Sequence, residues 1–167
     1  MDQNHTHNSS DSRQLDPKSA LIGYGDTGIS GWLENGVTQT IADMTRTVLL
    51  WNDKKYDVYN ELNLTTGTFI PKKTGWYQIC STILWKTGNH SGSYILTIEL
   101  TSNSSGRSQT INSQLQLSTF PTTQTLAQCA FMVAGDTLQV TVTSITGNTS
   151  YIDGATNYNN LSIRKLN

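Results

Sequence analysis

Few side chains in this 167-residue chain could support acid–base or nucleophilic chemistry. Its three histidines are His5 and His7, in a polar N-terminal tail, and His90, in a predicted loop. Catalysis by a nucleophile or a general base needs such a group held beside a partner side chain, and no predicted strand supplies that pair. The spacing of His5 and His7 would suit metal ligands, but two lone histidines in a polar tail are more often only tail. We therefore predict no enzyme, no metal site and no other cofactor.

The carboxylates and thiols also give no sign of a catalytic or metal site. Asp136 and Asp153 occur in turn sequences, where Asp usually hydrogen-bonds the backbone. The two cysteines, Cys80 and Cys129, are too few for a disulfide framework. They could pair if their strands are neighbours, but two buried free thiols are the favoured interpretation for a protein made in the cytoplasm.

The composition excludes two classes of partner. Charged residues are 14% of the chain, against about 25% in ordinary globular proteins, and Ser, Thr, Asn and Gln supply the polarity. The net charge is −1 without a basic block, which argues against nucleic-acid binding. No apolar run approaches the roughly 20 residues of a membrane span, and the N-terminus lacks the apolar core of a signal peptide. We expect a protein that is used in the cytoplasm or leaves the cell inside an assembled particle; a mature fragment with an added Met is the alternative.

Three regions differ in pattern. Residues 1–18 are polar and are predicted to be a flexible tail. Residues 19–36 mix five glycines with six large apolar side chains, a pattern typical of an extended arm that needs a partner surface. Folding back on its own domain as an extra edge strand is the alternative for this arm. Residues 37–167 show strand alternation and turn dipeptides, with no helical periodicity.

The alternation predicts an all-β, two-sheet antiparallel sandwich. The predicted strands are 37–41, 46–51, 67–70, 75–86, 93–101, 109–117, 124–133, 137–145 and 158–166. Strand 75–86 differs from the others because both of its faces carry large apolar residues. A strand of that kind is buried on both sides, so its second face must be covered by another chain or by the arm.

Three motifs resemble one known superfamily. NLTTGTFIP at 63–71 with Gly75-Trp76-Tyr77 is similar to its "TG-x-F-x-x-P-x-x-G-x-Y" pattern. Gly135-Asp136 followed by alternating apolar residues resembles a strand start, and residues 158–166 resemble its last strand. The chain from about 44 to 167 therefore resembles the tumour-necrosis-factor and complement globular-head superfamily. The resemblance implies a jelly-roll sandwich, here with an extended N-terminal arm.

The resemblance also implies a threefold homotrimer whose inner sheets pack around the axis. By strand parity, the side chains that face this axis are Trp76, Gln78, Cys80, Leu84, Ala127, Cys129 and Phe131. The side chains of opposite parity would fill the sandwich core: Tyr77, Ile79, Ala130, Met132, Leu161 and Ile163.

Domains of this fold occur in bacteriophage particles, so the expected function is a non-enzymatic capsid decoration, cement or spike protein. The arm would anchor it to a capsid or other virion protein through Tyr24, Ile29, Trp32 and Leu33. The alternative is a receptor- or glycan-binding module at a fibre tip or a bacterial surface, with a host-surface glycan as ligand. The expected location is the virion, and the alternative is extracellular.

Overall fold

The computed structural model of the chain describes residues 28–33, 36–86, 92–103, 105–117, 122–154 and 158–166. Within these ranges the secondary structure consists of β-strands and turns, without a helix. The strands, in chain order, are β1 (Gly28–Leu33), β2 (Gln39–Ile41), β3 (Thr47–Val48), β4 (Asp53–Asp57), β5 (Leu62–Asn63), β6 (Thr68–Phe69), β7 (Gly75–Trp85), β8 (Gly92–Thr101), β9 (Ser108–Leu117), β10 (Thr122–Met132), β11 (Thr137–Ile145), β12 (Ser150–Ile152) and β13 (Asn159–Lys165).

The strands form two antiparallel sheets. In the seven-stranded sheet the order is β2-β12-β7-β13-β1-β4, and β10 pairs with the other side of β7. The order in the six-stranded sheet is β5-β6-β11-β8-β9, with β3 also paired to β11. Sequence neighbours are therefore divided between the sheets, which is the layout of a sandwich with Greek-key connections.

All nine predicted strands are present, with ends that differ by a few residues. Four strands were missed: β1, β4, β5 and β12. β5 and β12 have only two and three residues, too few to show an alternation. β4 has the sequence Asp-Lys-Lys-Tyr-Asp, whose charged residues conceal a strand that lies next to β1 in the sheet.

The core lies between the two sheets, as the alternation predicted. Tyr77 and Ile79 on β7 have no exposed surface. Rings from the two sheets meet there: Phe69 contacts Tyr77 edge-on at 5.9 Å between centroids, and Trp85 lies 4.4 Å from Tyr94. The other side chains predicted for the core are also buried: Ala130, Met132, Leu161 and Ile163.

The Gly-rich segment departs from the prediction of a free arm. Residues 28–33 form β1, which lies inside the sheet between β13 and β4 rather than at its edge. Gly31 allows this close packing, because a Cβ there would come within 2.8 Å of Leu62 Cδ2 and 3.4 Å of Trp51 Cγ. The glycine therefore makes room for two core side chains. The described part of the predicted 19–36 arm is a strand of the sandwich.

Candidate assembly interface

β7 occupies the middle of the seven-stranded sheet and presents two different faces. It pairs with β10 over its whole length and with β13 from Tyr77 to Thr82. The side chains that point into the sandwich are all buried. The alternate side chains, beginning with Trp76, point away from the six-stranded sheet and keep solvent contact.

Strand register extends this outward face over four neighbouring strands. Phe131 lies opposite Trp76, Ala127 opposite Cys80, and Ser162 lies on the other side of Cys80. The pairing of β1 with β13 adds Trp32, which lies opposite Asn160. We call this surface the assembly face: Trp32, Trp76, Gln78, Cys80, Thr82, Leu84, Thr125, Ala127, Cys129, Phe131, Asn160, Ser162 and Arg164.

An aromatic pair marks one end of the assembly face. The rings of Trp76 and Phe131 pack edge-to-face, 5.8 Å apart with an interplanar angle of 71°. Trp76 is 54% exposed and Phe131 is 50% exposed. Each ring therefore leaves about half its surface in water, although aromatic side chains gain the most from burial.

The polar groups of the assembly face are largely paired with one another. Thr82 Oγ1 and Thr125 Oγ1 share a hydrogen bond of 3.0 Å across β7 and β10. Arg164 Nε donates to Gln78 Oε1 at 2.7 Å across β13 and β7. Polar side chains that already have a hydrogen-bond partner within the subunit have a smaller desolvation cost when a second surface excludes water.

Both cysteines are free thiols on the assembly face. Cys80 lies opposite Ala127 and Cys129 opposite Gln78, so the two cysteines are diagonal neighbours. Diagonal positions lie about 7–8 Å apart, beyond the roughly 4.4–6.8 Å between Cα atoms that a disulfide needs. The expectation that both are buried is wrong for a single subunit: Cys80 is half-buried and Cys129 is exposed, because β10 turns it outward.

The four predicted anchor residues do not form one surface. Ile29 and Leu33 are each 3% exposed and belong to the chain's own core, so the prediction that they anchor a particle is wrong. Trp32 points to the opposite side of β1, onto the assembly face, and its Nε1 donates to Ser30 Oγ at 2.9 Å. Tyr24 lies outside the described residues.

The turn carboxylates can be compared with their predicted role. Asp136 has the predicted backbone role: its two carboxylate oxygens accept N–H groups from Asn103 at 3.1 Å and Val133 at 2.8 Å. The described ranges contain no group of three His, Cys, Asp or Glu residues arranged to hold a metal ion. Nor do these ranges include a helix long and apolar enough to cross a membrane.

A two-sheet sandwich with this strand order is an antiparallel jelly roll. More particularly, solved structures place it with the tumour-necrosis-factor-like and complement globular-head folds. The structure of Eiger, a TNF from S. frugiperda, aligns with a TM-score of 0.66 and 14% identity over 84% of this chain and 92% of that chain.

Two further solved structures have a similar fold. The globular domain of zebrafish complement 1qA has a TM-score of 0.60 and 15% identity, covering 84% of this chain and 98% of that chain. Murine APRIL has a TM-score of 0.62 and 16% identity over the same fractions. No protein-family model and no curated protein matches the sequence. The chain thus has the predicted jelly-roll fold of these domains, established by its structure.

Proposed function

We propose that the protein is a non-enzymatic homotrimer whose subunits associate through the assembly face. The observation that carries the proposal is the pair of half-exposed aromatic rings, Trp76 and Phe131, on a sheet face that the second sheet leaves open. Contiguous apolar patches on monomers are rare and usually mark interaction sites. The likeness to the TNF and complement-head folds supports three subunits rather than two.

The chemistry of the face suits burial. Its apolar side chains include Leu84, Ala127 and the two cysteines in addition to the aromatic pair. Its charged group, Arg164, donates to the neutral amide oxygen of Gln78, so in the assembly the guanidinium should lie at the rim of the interface, in contact with water. A face that spans four long strands offers room for a stable interface, which usually buries about 1,200–2,000 Å² in total. Closed cyclic symmetry would cover the same patch on every subunit.

Replacing Phe131 with Lys tests the interface. A lysine at this position would bring three unpaired ammonium groups into the contacts, and burying each would cost several kcal/mol. Because Phe131 is half exposed in the isolated subunit, the variant should remain folded and become monomeric. Light scattering would measure its mass, and circular dichroism its fold.

Val58→Lys is the matched control. Val58 is also 50% exposed but lies in the turn after β4, outside the assembly face. It should leave the mass unchanged. A trimeric Phe131→Lys variant, or equal dissociation of both variants, would contradict the assignment of the interface.

The non-enzymatic part of the proposal is supported by what the polar side chains do. The carboxylate oxygens of Asp136 and Asp43 accept hydrogen bonds from backbone N–H groups at turns. Thr141 donates to Glu99 Oε1 at 2.7 Å, and Glu99 also forms an ion pair with Arg46. These carboxylates hold loops and strands in place, a structural role.

Within this class we place the trimer on the surface of a virion, as a decoration, cement or spike protein. The low charged fraction and the polar Ser, Thr and Asn content support an extracellular particle surface. Attachment would use residues outside β1, since Ile29 and Leu33 are internal.

Cosedimentation with preformed virus particles from the host that carries the gene would test the proposed location on a virion. Saturable binding of the trimer to particles is the expected result. Binding to the host cells and not to the particles would instead favour the receptor-binding alternative.

A further inference from the structure

A cleft of about 480 Å³ lies where the loop between β8 and β9 meets the turn between β10 and β11. The volume falls within the range of about 300–1,000 Å³ that is usual for small-molecule sites. Six of the side chains that line it are exposed or half-buried, so a ligand in the cleft can contact them. They comprise one cation, three neutral polar groups and two apolar groups: Arg107, Ser105, Ser108, Gln109, Phe131 and Val133.

The two walls of the cleft are held in place by the chain's own hydrogen bonds. The N–H group of Ser102 donates to the carbonyl oxygen of Arg107 at 2.8 Å, which closes the loop before β9. Asp136 joins this loop to the opposite wall, because its Oδ1 accepts the N–H of Asn103 at 3.1 Å and its Oδ2 that of Val133 at 2.8 Å. A cleft whose walls are already fixed loses little conformational entropy when it binds a ligand.

Arg107 supplies the exposed charge of the cleft. Its guanidinium has neither an ion pair nor a hydrogen-bond partner among the described residues. The lining carboxylate, Asp136, is only 2% exposed, and both of its oxygens accept backbone N–H groups of the walls. The described lining therefore offers a ligand one free cation and no exposed carboxylate. A planar guanidinium can bind a carboxylate through two parallel N–H···O bonds.

Neutral polar groups and an apolar wall lie beside Arg107. Ser108 and Gln109 are the first residues of β9, and their side chains have no hydrogen-bond partner among the described residues. A hydroxyl and an amide can each donate and accept, which suits the hydroxyl groups of a ligand. Val133 and Phe131 close the cleft on the side of β10 with apolar surface. This combination matches a ring that carries one carboxylate and several hydroxyl groups.

We propose that this cleft binds an acidic sugar, one ring of a glycan that carries a carboxylate, as uronic and sialic acids do. Arg107 binds the carboxylate, and Ser108 and Gln109 exchange hydrogen bonds with the ring hydroxyls. A phosphate monoester fits less well, because it carries close to two negative charges near neutral pH and the cleft has one free cation to offset them. The site lies at the margin of the assembly face, with which it shares Phe131.

Saturation-transfer NMR on the full-length protein would measure binding of the methyl glycosides of D-glucuronate and N-acetylneuraminate. Methyl glucoside is the neutral comparison ligand, glucose 6-phosphate carries a phosphate, and propionate is a carboxylate without a ring. At least one acidic sugar should bind more tightly than all three comparison ligands, and its affinity should fall as salt is added. Absence of binding by both acidic sugars up to tens of millimolar, or equal or tighter binding of a comparison ligand, would overturn the proposal.

Arg107→Gln removes the charge of the cleft. Because the Arg107 side chain is exposed and has no partner among the described residues, the variant should keep its fold. We expect at least about tenfold weaker binding of the acidic sugar. Arg107→Lys keeps the charge but loses the two-bond geometry, so it should also bind more weakly than the wild type.

Lys86→Gln is the matched control, because it removes the same charge from an exposed position. Lys86 follows the last residue of β7, whereas Phe131 at the cleft lies opposite Trp76, near the first. The control should bind the acidic sugar as the wild type does. Unchanged affinity of Arg107→Gln, or an equal loss in Arg107→Gln and Lys86→Gln, would contradict the site.

The trimer and the acidic-sugar site are tested separately. The solution mass of the protein reports on the assembly face, and sugar binding reports on the cleft beside β9. A trimer that binds no acidic sugar would refute only the glycan site, and a monomer that binds one would refute only the proposed assembly.

Discussion

Glu61 combines a buried position with a titratable group, and its protonation is coupled to folding. Burial raises the pKa of its carboxyl group above the usual value of 4.5, and the nearby Asp57 raises it further. The backbone N–H of Lys72 and the charges of Lys72 and Lys73 lower it, without cancelling the effect of burial. The folded state therefore binds the Glu61 proton more tightly than the unfolded state does.

The first prediction concerns pH. Because the folded pKa is raised, Glu61 contributes stability that is fully present below pH 4.5 and is lost as the pH rises through its folded pKa. Glu61→Gln removes this titration, so the variant should gain stability relative to the wild type as the pH rises from 4.5. Urea unfolding of both proteins at a series of pH values would measure the difference. Parallel stability curves would contradict the prediction.

The second prediction concerns Gly31. Gly31→Ala would bring a Cβ within 2.8 Å of the buried Leu62 side chain, so overpacking should destabilise the protein by about 1–3 kcal/mol. Gly75→Ala is the control, because its Cβ would meet only the end of the Lys165 side chain, which can move aside. Chemical denaturation would compare them, and a Gly31→Ala loss no larger than that of the control would count against the close packing of β1.

At the scale of elements, β1 carries the main difference between the sequence prediction and the structure. Residues 19–36 contain five glycines, two of them in β1, and these concealed the strand because glycine lowers the predicted strand propensity. The irregular pairing of β1 with β4 places the extra residue on β4, since Ser30 lies opposite Tyr56 and Gly31 opposite Lys54, so it is the alternation of β4 that is interrupted. The long strands β7, β10 and β11 were predictable, because their alternation persists over nine or more residues.

Parity on those long strands also predicted most of the candidate site. All seven residues assigned to the axis lie on the assembly face, although their contact with other subunits stays a prediction. Trp32 was assigned to a different role because its strand was missed. The burial of Glu61 could not be predicted, because it depends on how the turn after β4 packs against the loop between β6 and β7.

The third prediction separates two truncations. Removing residues 1–27 leaves every described strand in place, so the protein should keep its fold and its number of subunits. Removing residues 1–36 deletes β1, exposes its neighbours β13 and β4, and removes the buried side chains of Ile29 and Leu33, each worth about 1.5–3 kcal/mol. Thermal unfolding should show a large loss for this longer truncation, and equal stability of the two would contradict the assignment of β1.

At the scale of the whole molecule, the two thiols report on assembly. The denatured protein should titrate two thiols, since neither cysteine is in a disulfide. In the native wild type, neighbouring subunits should cover Cys129 and slow its reaction with a thiol reagent. The monomeric Phe131→Lys variant should react faster. Equal rates in the two proteins would show that Cys129 is not covered by assembly.

The central claim is that the assembly face joins three subunits, and the solution mass tests it most directly. Light scattering of the purified wild-type protein, coupled to size exclusion and repeated over a range of concentrations, would give this mass. The account predicts a stable species of three times the 18.4 kDa chain at all concentrations tested. A stable species of 18.4 kDa, with Trp76 and Phe131 left in solvent, would contradict it.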